Sequence, residues 1–140
     1  MKSESFPAKH EEFYSKFEKW RKEKIKEILP SGGVYKLISN KEIGRFLKTD
    51  EEGVLYIGKG DILSNQSRVG KFVNAINEKE KRHGGGSRFN TKLIKDSFPL
   101  KNSKIQIILT ETPEKLEAEI LKEYLEKFGE LPPFNRRMES

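Results

Sequence analysis

Four side chains in this sequence sit where their polarity is costly unless it is used. Two are tyrosines: Tyr35 ends Gly33-Val34-Tyr35, and Tyr56 opens Tyr56-Ile57-Gly58. Each lies beside a glycine in an apolar, β-prone run. Buried tyrosine hydroxyls need partners, so two of them on adjacent strands, followed by Lys59, suggest a polar site at a sheet edge. Two core tyrosines in a hairpin would give the same pattern. The third is Arg68, in the first turn of an expected helix, where the helix dipole disfavours a cation. A phosphate bound there would gain from the guanidinium and the free backbone N–H groups together; a merely exposed arginine needs no ligand. The fourth is Glu117. With Leu116 at zero and about 100° per residue, Leu116, Ile120, Leu121, Tyr124, Leu125 and Phe128 form an apolar stripe from about 0° to about 180°. Glu117 falls at about 100°, inside that stripe, whereas Glu119, Glu123 and Glu126 fall opposite. A carboxylate on a core-facing stripe must be paired, hydrogen-bonded or bound to a cation. A structural ion pair, for instance with Arg68, would satisfy it, and so would a site carboxylate, which the angular position favours.

The elements that must position these groups follow from periodicity and punctuation. The runs 34–38 and 54–58 read as antiparallel strands joined by a long polar loop over 39–53, marked by Asn40, Gly44 and Gly53. Residues 1–7 read as a loose lead-in. Over 9–29, Phe13, Phe17, Trp20 and Ile28 recur at helical spacing until Pro30-Ser31-Gly32-Gly33 stops the run. That helix either covers a sheet face or lies along a phosphate backbone, and its aromatic face favours the cover. Val69, Phe72, Val73 and Ile76 predict a helix over 67–81, followed by His83-Gly84-Gly85-Gly86-Ser87-Arg88. Three consecutive glycines make a loop, which either closes over a ligand with His83 and Arg88 or is a plain linker. A short helix is expected over 91–97 with Leu93 and Ile94 inward, then a central strand over 104–110. Thr112-Pro113-Glu114 begins the last helix and Gly129 ends it. Beyond it, Leu131-Pro132-Pro133-Phe134-Asn135 reads as an extended return segment whose Asn135 amide can brace a loop or a ligand.

Length and composition set the bounds. The 140 residues suit one domain, with charged residues at 36% outweighing hydrophobic ones at 34%. The net charge of +6 leans towards a polyanionic partner, although many lysines alternate with glutamates. The absence of cysteine excludes disulfides and thiolate metal sites. Neither a membrane-spanning apolar run nor a secretory leader is visible, so the expectation is a soluble cytoplasmic protein without a membrane partner.

Taken together, these pieces resemble the GIY-YIG nuclease superfamily over 33–135. Gly33-Val34-Tyr35 looks like the first signature phrase and Tyr56-Ile57-Gly58-Lys59 like the second. Arg68 looks like the helix arginine, Glu117 the metal-binding glutamate and Asn135 the asparagine after a proline-containing turn. The run Leu116 to Tyr124 is similar to the corresponding helix of excision-repair nucleases in that superfamily. Where many members carry a histidine four residues after the arginine, this chain has Phe72.

The resemblance implies an α/β fold: a small, mainly antiparallel three-stranded sheet surrounded by helices. The domain would run over 31–140, with 1–30 as an N-terminal helical extension packed on it. It implies a divalent-metal-dependent endonuclease with DNA as partner; the alternative is an inactive domain of this type used as a nucleic-acid-binding module. One Mg²⁺ or Mn²⁺ would sit on Glu117. Tyr35 would orient or deprotonate the water, its hydroxyl acidified by Arg68, Lys59 or the metal. Tyr56 and Lys59 would make further water or phosphate contacts. Arg68 would hold the scissile phosphate, with Lys71, His83 and Arg88 as further substrate contacts and Asn135 as support.

Overall fold

The computed structural model describes residues 3–27, 30–64, 67–79, 86 and 88–136. Strand β1 spans Ser3–Pro7, β2 Gly32–Ile38, β3 Ile43–Gly44, β4 Thr49–Asp50, β5 Val54–Asp61 and β6 Lys104–Leu109. Helix α1 spans His10–Ile25 and α2 Arg68–Ile76. A short helix covers Lys92–Ser97, and the C-terminal helix runs Pro113–Phe128. The main sheet has the order β1-β6-β2-β5 and is antiparallel throughout, so the chain is a mixed α/β fold.

The sheet has four strands rather than the expected three, because residues 3–7 pair with β6 instead of trailing loosely. One side chain anchors that edge. Phe6 is buried and meets Phe13, Phe17 and Trp20 edge-on at ring separations of 5.8, 5.8 and 5.4 Å. Ser-Glu-Ser-Phe-Pro offers only that one large apolar residue, too few for an alternating pattern to be legible. The β2–β5 hairpin and the central placement of β6 are as expected. Within the loop joining the hairpin, β3 and β4 form a second, two-stranded ribbon.

Alternation along β2 divides the core between the two faces of the sheet. Tyr35 and Leu37 face one side with Ile105, Ile107, Phe13, Phe17, Val69, Phe72 and Ile76, so α1 and α2 cover that side. Val34 and Ile38 face the other with Val54, Ile57, Leu121, Tyr124 and Phe128, beneath the C-terminal helix. Helix α1 is thus a cover, as its aromatic face implied.

Two apolar positions differ from expectation. Leu93 points outward at 77% exposure, and Ile94 alone of that pair packs on the core. Thr91 caps this short helix at Ile94 N–H, and only Ile94 of the two meets the core from there. On the C-terminal helix the buried residues are Glu117, Leu121, Tyr124 and Phe128, an arc from about 80° to about 140°. Leu125, at the margin of the stripe, is exposed. The helix ends at Gly129 with φ of 80°.

Candidate active site

Tyr35 and Tyr56 belong to adjacent strands and share the α2 side of the sheet, their ring centroids 6.3 Å apart. Tyr35 is opposite Gly58 in the ladder, and its ring lies over that glycine. A Cβ at position 58 would sit 2.6 Å from Cζ and 2.7 Å from Oη of Tyr35. The glycine of the second tyrosine phrase therefore makes room for the tyrosine of the first. Phe72 closes the third side, stacked on Tyr56 at 5.0 Å and tilted against Tyr35 at 5.3 Å. It is fully buried, so an apolar ring holds both tyrosines at this position.

Arg68 is the first residue of α2. Ser67 caps the helix by accepting from Gly70 N–H, and this fixes where the arginine leaves the backbone. The stem of Arg68 rests on Gly60, whose φ is 151°; a Cβ there would lie 2.6 Å from Arg68 Cβ. The Arg68 guanidinium acts on the Tyr35 hydroxyl, favouring its ionised form, yet Arg68 remains exposed. Helix α2 is tied to α1 by Tyr14, whose hydroxyl shares its one proton between the Gly70 carbonyl and Asn74 Oδ1, both at 3.1 Å.

Glu117 comes from the helix on the opposite side of the sheet and is 4% exposed. Its charge nevertheless acts on both tyrosines. Burial pushes the Tyr35 hydroxyl well above the ordinary tyrosine range; Tyr56 and Glu117 add to the rise, and Arg68 opposes it by charge and hydrogen bond. Burial likewise raises Tyr56, with Glu117 adding and with Arg68 and Arg88 opposing. Tyr35 was expected to be acidified by Arg68, Lys59 or a metal; of these, Arg68 acts in the expected direction but is outweighed by burial, so without a metal both hydroxyls lie above the ordinary tyrosine range. Tyr35 is also fully sealed, whereas Tyr56 is only partly buried.

The remaining expected residues divide. Arg88 joins the cluster: its guanidinium donates to the Phe134 carbonyl and acts electrostatically on Tyr56. Burial works against its charge, and the charge of Arg136 adds to that. Arg136 was not foreseen, since the sequence gives no periodic signal in an extended tail. Asn135 does not face a ligand. Its Oδ1 accepts from Ile57 N–H at 2.9 Å and its Nδ2 donates to the Ile57 carbonyl at 2.8 Å. With Phe134 N–H donating to the Leu55 carbonyl, it braces the outer edge of β5, which presents Tyr56. Lys59 pairs with Val34 on the other face and forms an ion pair with Glu114 at 3.5 Å, away from the tyrosine side. Lys71 is exposed on α2, one turn beyond Arg68. His83, Gly84 and Gly85 lie outside the described residues.

Among the described residues no three His, Asp or Glu side chains are grouped to hold a metal ion, and no helix is long and apolar enough to cross a membrane. A buried carboxylate such as Glu117 is an oxygen ligand of the kind a hard cation takes, as magnesium does. No family model, curated protein or solved structure matches this chain.

Proposed function

We propose that the chain is a divalent-metal-dependent endonuclease of the GIY-YIG type, hydrolysing phosphodiester bonds in DNA. One observation carries the reading. Tyr35, Tyr56, Arg68 and Glu117 come from four separate elements, and the exposed arginine and the buried carboxylate both act on the two tyrosine hydroxyls.

Hydrolysis requires water to attack phosphorus in line with the departing alkoxide, which takes up a proton as the P–O bond breaks. Arg68 binds a non-bridging oxygen of the scissile phosphate, its fork held in register by Gly60 below and Tyr35 beside it. Tyr35, neutral and sealed, positions Arg68 rather than removing a proton. Tyr56 presents its neutral, partly open hydroxyl to the attacking water or the phosphate and orients it. Arg88 and Arg136 extend the positive surface along the strand being cut. Glu117 would hold Mg²⁺ or Mn²⁺, which supplies charge neutralisation and activation of water when bound.

The test is cleavage of plasmid and branched DNA against Mg²⁺ concentration for Glu117→Gln and Glu119→Gln. Two residues along a helix turn about 200°, so the two carboxylates cannot serve one site. Glu117→Gln should abolish cleavage while DNA binding survives, and Glu119→Gln should cut as the parent does. An active Glu117→Gln variant would remove the enzymatic reading. An inactive parent protein that binds DNA in a salt-dependent manner would reduce the chain to a binding module.

A further inference from the structure

One lysine stands among buried apolar side chains. Lys36 lies midway along β2, an interior strand, between Val34 and Ile38, which belong to the core beneath the C-terminal helix. The pleat turns Lys36 to that same side, while its neighbours Tyr35 and Leu37 point to the other. It is half-buried and lines a cavity of about 550 Å³ whose apolar lining includes Val54, Ile57 and Ile120. Among the described residues its amine makes neither a hydrogen bond nor an ion pair. Burial works against its charged form; Glu52, Glu123 and Asp50 oppose that and are outweighed, so the amine gives up its proton more readily than an ordinary lysine.

The groups around it divide into structural and free ones. Asp50 accepts from the N–H groups of Glu52, Gly53 and Val54 and from the Tyr124 hydroxyl, so Asp50 and Tyr124 are occupied in holding the cavity wall. Glu52 and Glu123 line the same cavity, are exposed, and act on Lys36 by charge without pairing with it. An unpaired, desolvated amine with carboxylates nearby and room for a small molecule suits condensation with a carbonyl compound. The charge of the lining narrows the class. Asp50, Glu51, Glu52 and Glu123 outnumber Lys48 and Lys127, so an anionic carbonyl compound is disfavoured there.

We propose that Lys36 captures small neutral aldehydes in this cavity as a Schiff base, at a site that does not rest on the nuclease reading above. The amine nitrogen bonds to the carbonyl carbon, and a proton passes from nitrogen to the carbonyl oxygen to give a carbinolamine. The C–O bond then breaks, the hydroxyl leaves with a further proton as water, and nitrogen releases its second proton. Amine and aldehyde thus give imine and water, with nothing oxidised or reduced. Glu52 and Glu123 accept the protons released at nitrogen and return them to oxygen.

The experiment incubates the full chain with limiting glycolaldehyde from mildly acidic to mildly alkaline pH, reduces any imine with cyanoborohydride, and locates the adducts by peptide mass spectrometry. Lys36 should carry the adduct on the order of tenfold ahead of the exposed lysines, and its labelling should begin at lower pH than theirs. Lys36→Met should lose that adduct with circular dichroism unchanged. Lys36→Arg should lose it too, because a guanidinium keeps its charge. Glu52→Gln/Glu123→Gln should move the onset of labelling to still lower pH, since these carboxylates hold the proton on the amine, while slowing labelling at the plateau several-fold. Glyoxylate, an anionic aldehyde, should label Lys36 several-fold less than glycolaldehyde does. Labelling at Lys36 no faster than at the exposed lysines, or with the same pH onset, would overturn the site. A pH profile untouched by the double substitution would overturn the role given to the carboxylates, and a preference for glyoxylate would overturn the neutral ligand class.

Discussion

Gly58→Ala tests the geometry that joins the two tyrosine phrases. The added Cβ would meet three outer atoms of Tyr35, Cζ at 2.6 Å, Oη at 2.7 Å and Cε2 at 2.8 Å. The ring has nowhere to retreat, since Tyr35 is fully buried between Phe72 and Tyr56. Restoring ordinary contact takes a shift of roughly 0.8 Å, and overpacking of this kind costs about 1–3 kcal/mol. For a domain of this size the melting temperature should fall by about 3–10 °C. The shift also carries the Tyr35 hydroxyl away from Arg68, and a displacement near 1 Å at a positioned group costs on the order of 100-fold in rate. The decisive assay is a double-mutant cycle in urea. Leucine lacks Cε2, Cζ and Oη, so in a Tyr35→Leu background the alanine at 58 should cost almost nothing, giving a coupling of about 1–3 kcal/mol. Equal destabilisation by Gly58→Ala in both backgrounds would refute the clash and place the cost in the backbone of β5.

Tyr35→Phe should leave the fold intact and slow cleavage by about 10- to 100-fold, but add little in an Arg68→Ala background, because the hydroxyl acts through the guanidinium; additive losses in cleavage kinetics would show that Tyr35 acts independently. Asp50→Ala should destabilise by about 2–4 kcal/mol in urea denaturation, since its buried carboxylate accepts from Glu52, Gly53 and Val54 N–H and from the Tyr124 hydroxyl at 2.7 Å; a neutral result would mean that water replaces all four. Tyr35, Tyr56 and Tyr124 should lower stability as the pH rises above about 10. Burial raises Tyr35, Tyr56 and Tyr124 in the folded chain, the last also by its bond to Asp50, so the unfolded chain loses these protons first. Tyrosinate absorbance should then rise together with the loss of circular dichroism, and the appearance of all three tyrosinates before unfolding would contradict the burial.

Much of the site was legible because it rests on local periodicity. A helix turns a fixed angle per residue, so Glu117 could be placed on the buried arc and Glu119 off it before any partner was known. The hairpin phrases, the Ser67 cap that starts α2 beneath Arg68 and the glycine that ends the last helix are likewise local signals. Other features depend on contacts between segments far apart in the chain. Phe6 makes residues 3–7 a strand only because α1 folds back over it, and Asn135 is spent on Ile57 only because the tail lies along the β5 edge. Lys59 adjoins the second tyrosine phrase in sequence, yet the pleat turns it to the opposite face and into an ion pair with Glu114. The protonation of Tyr35 was decided the same way. Its residue type and the nearby arginine suggested an acidified hydroxyl, but desolvation depends on everything packed around the ring, and only the assembled core shows that burial wins.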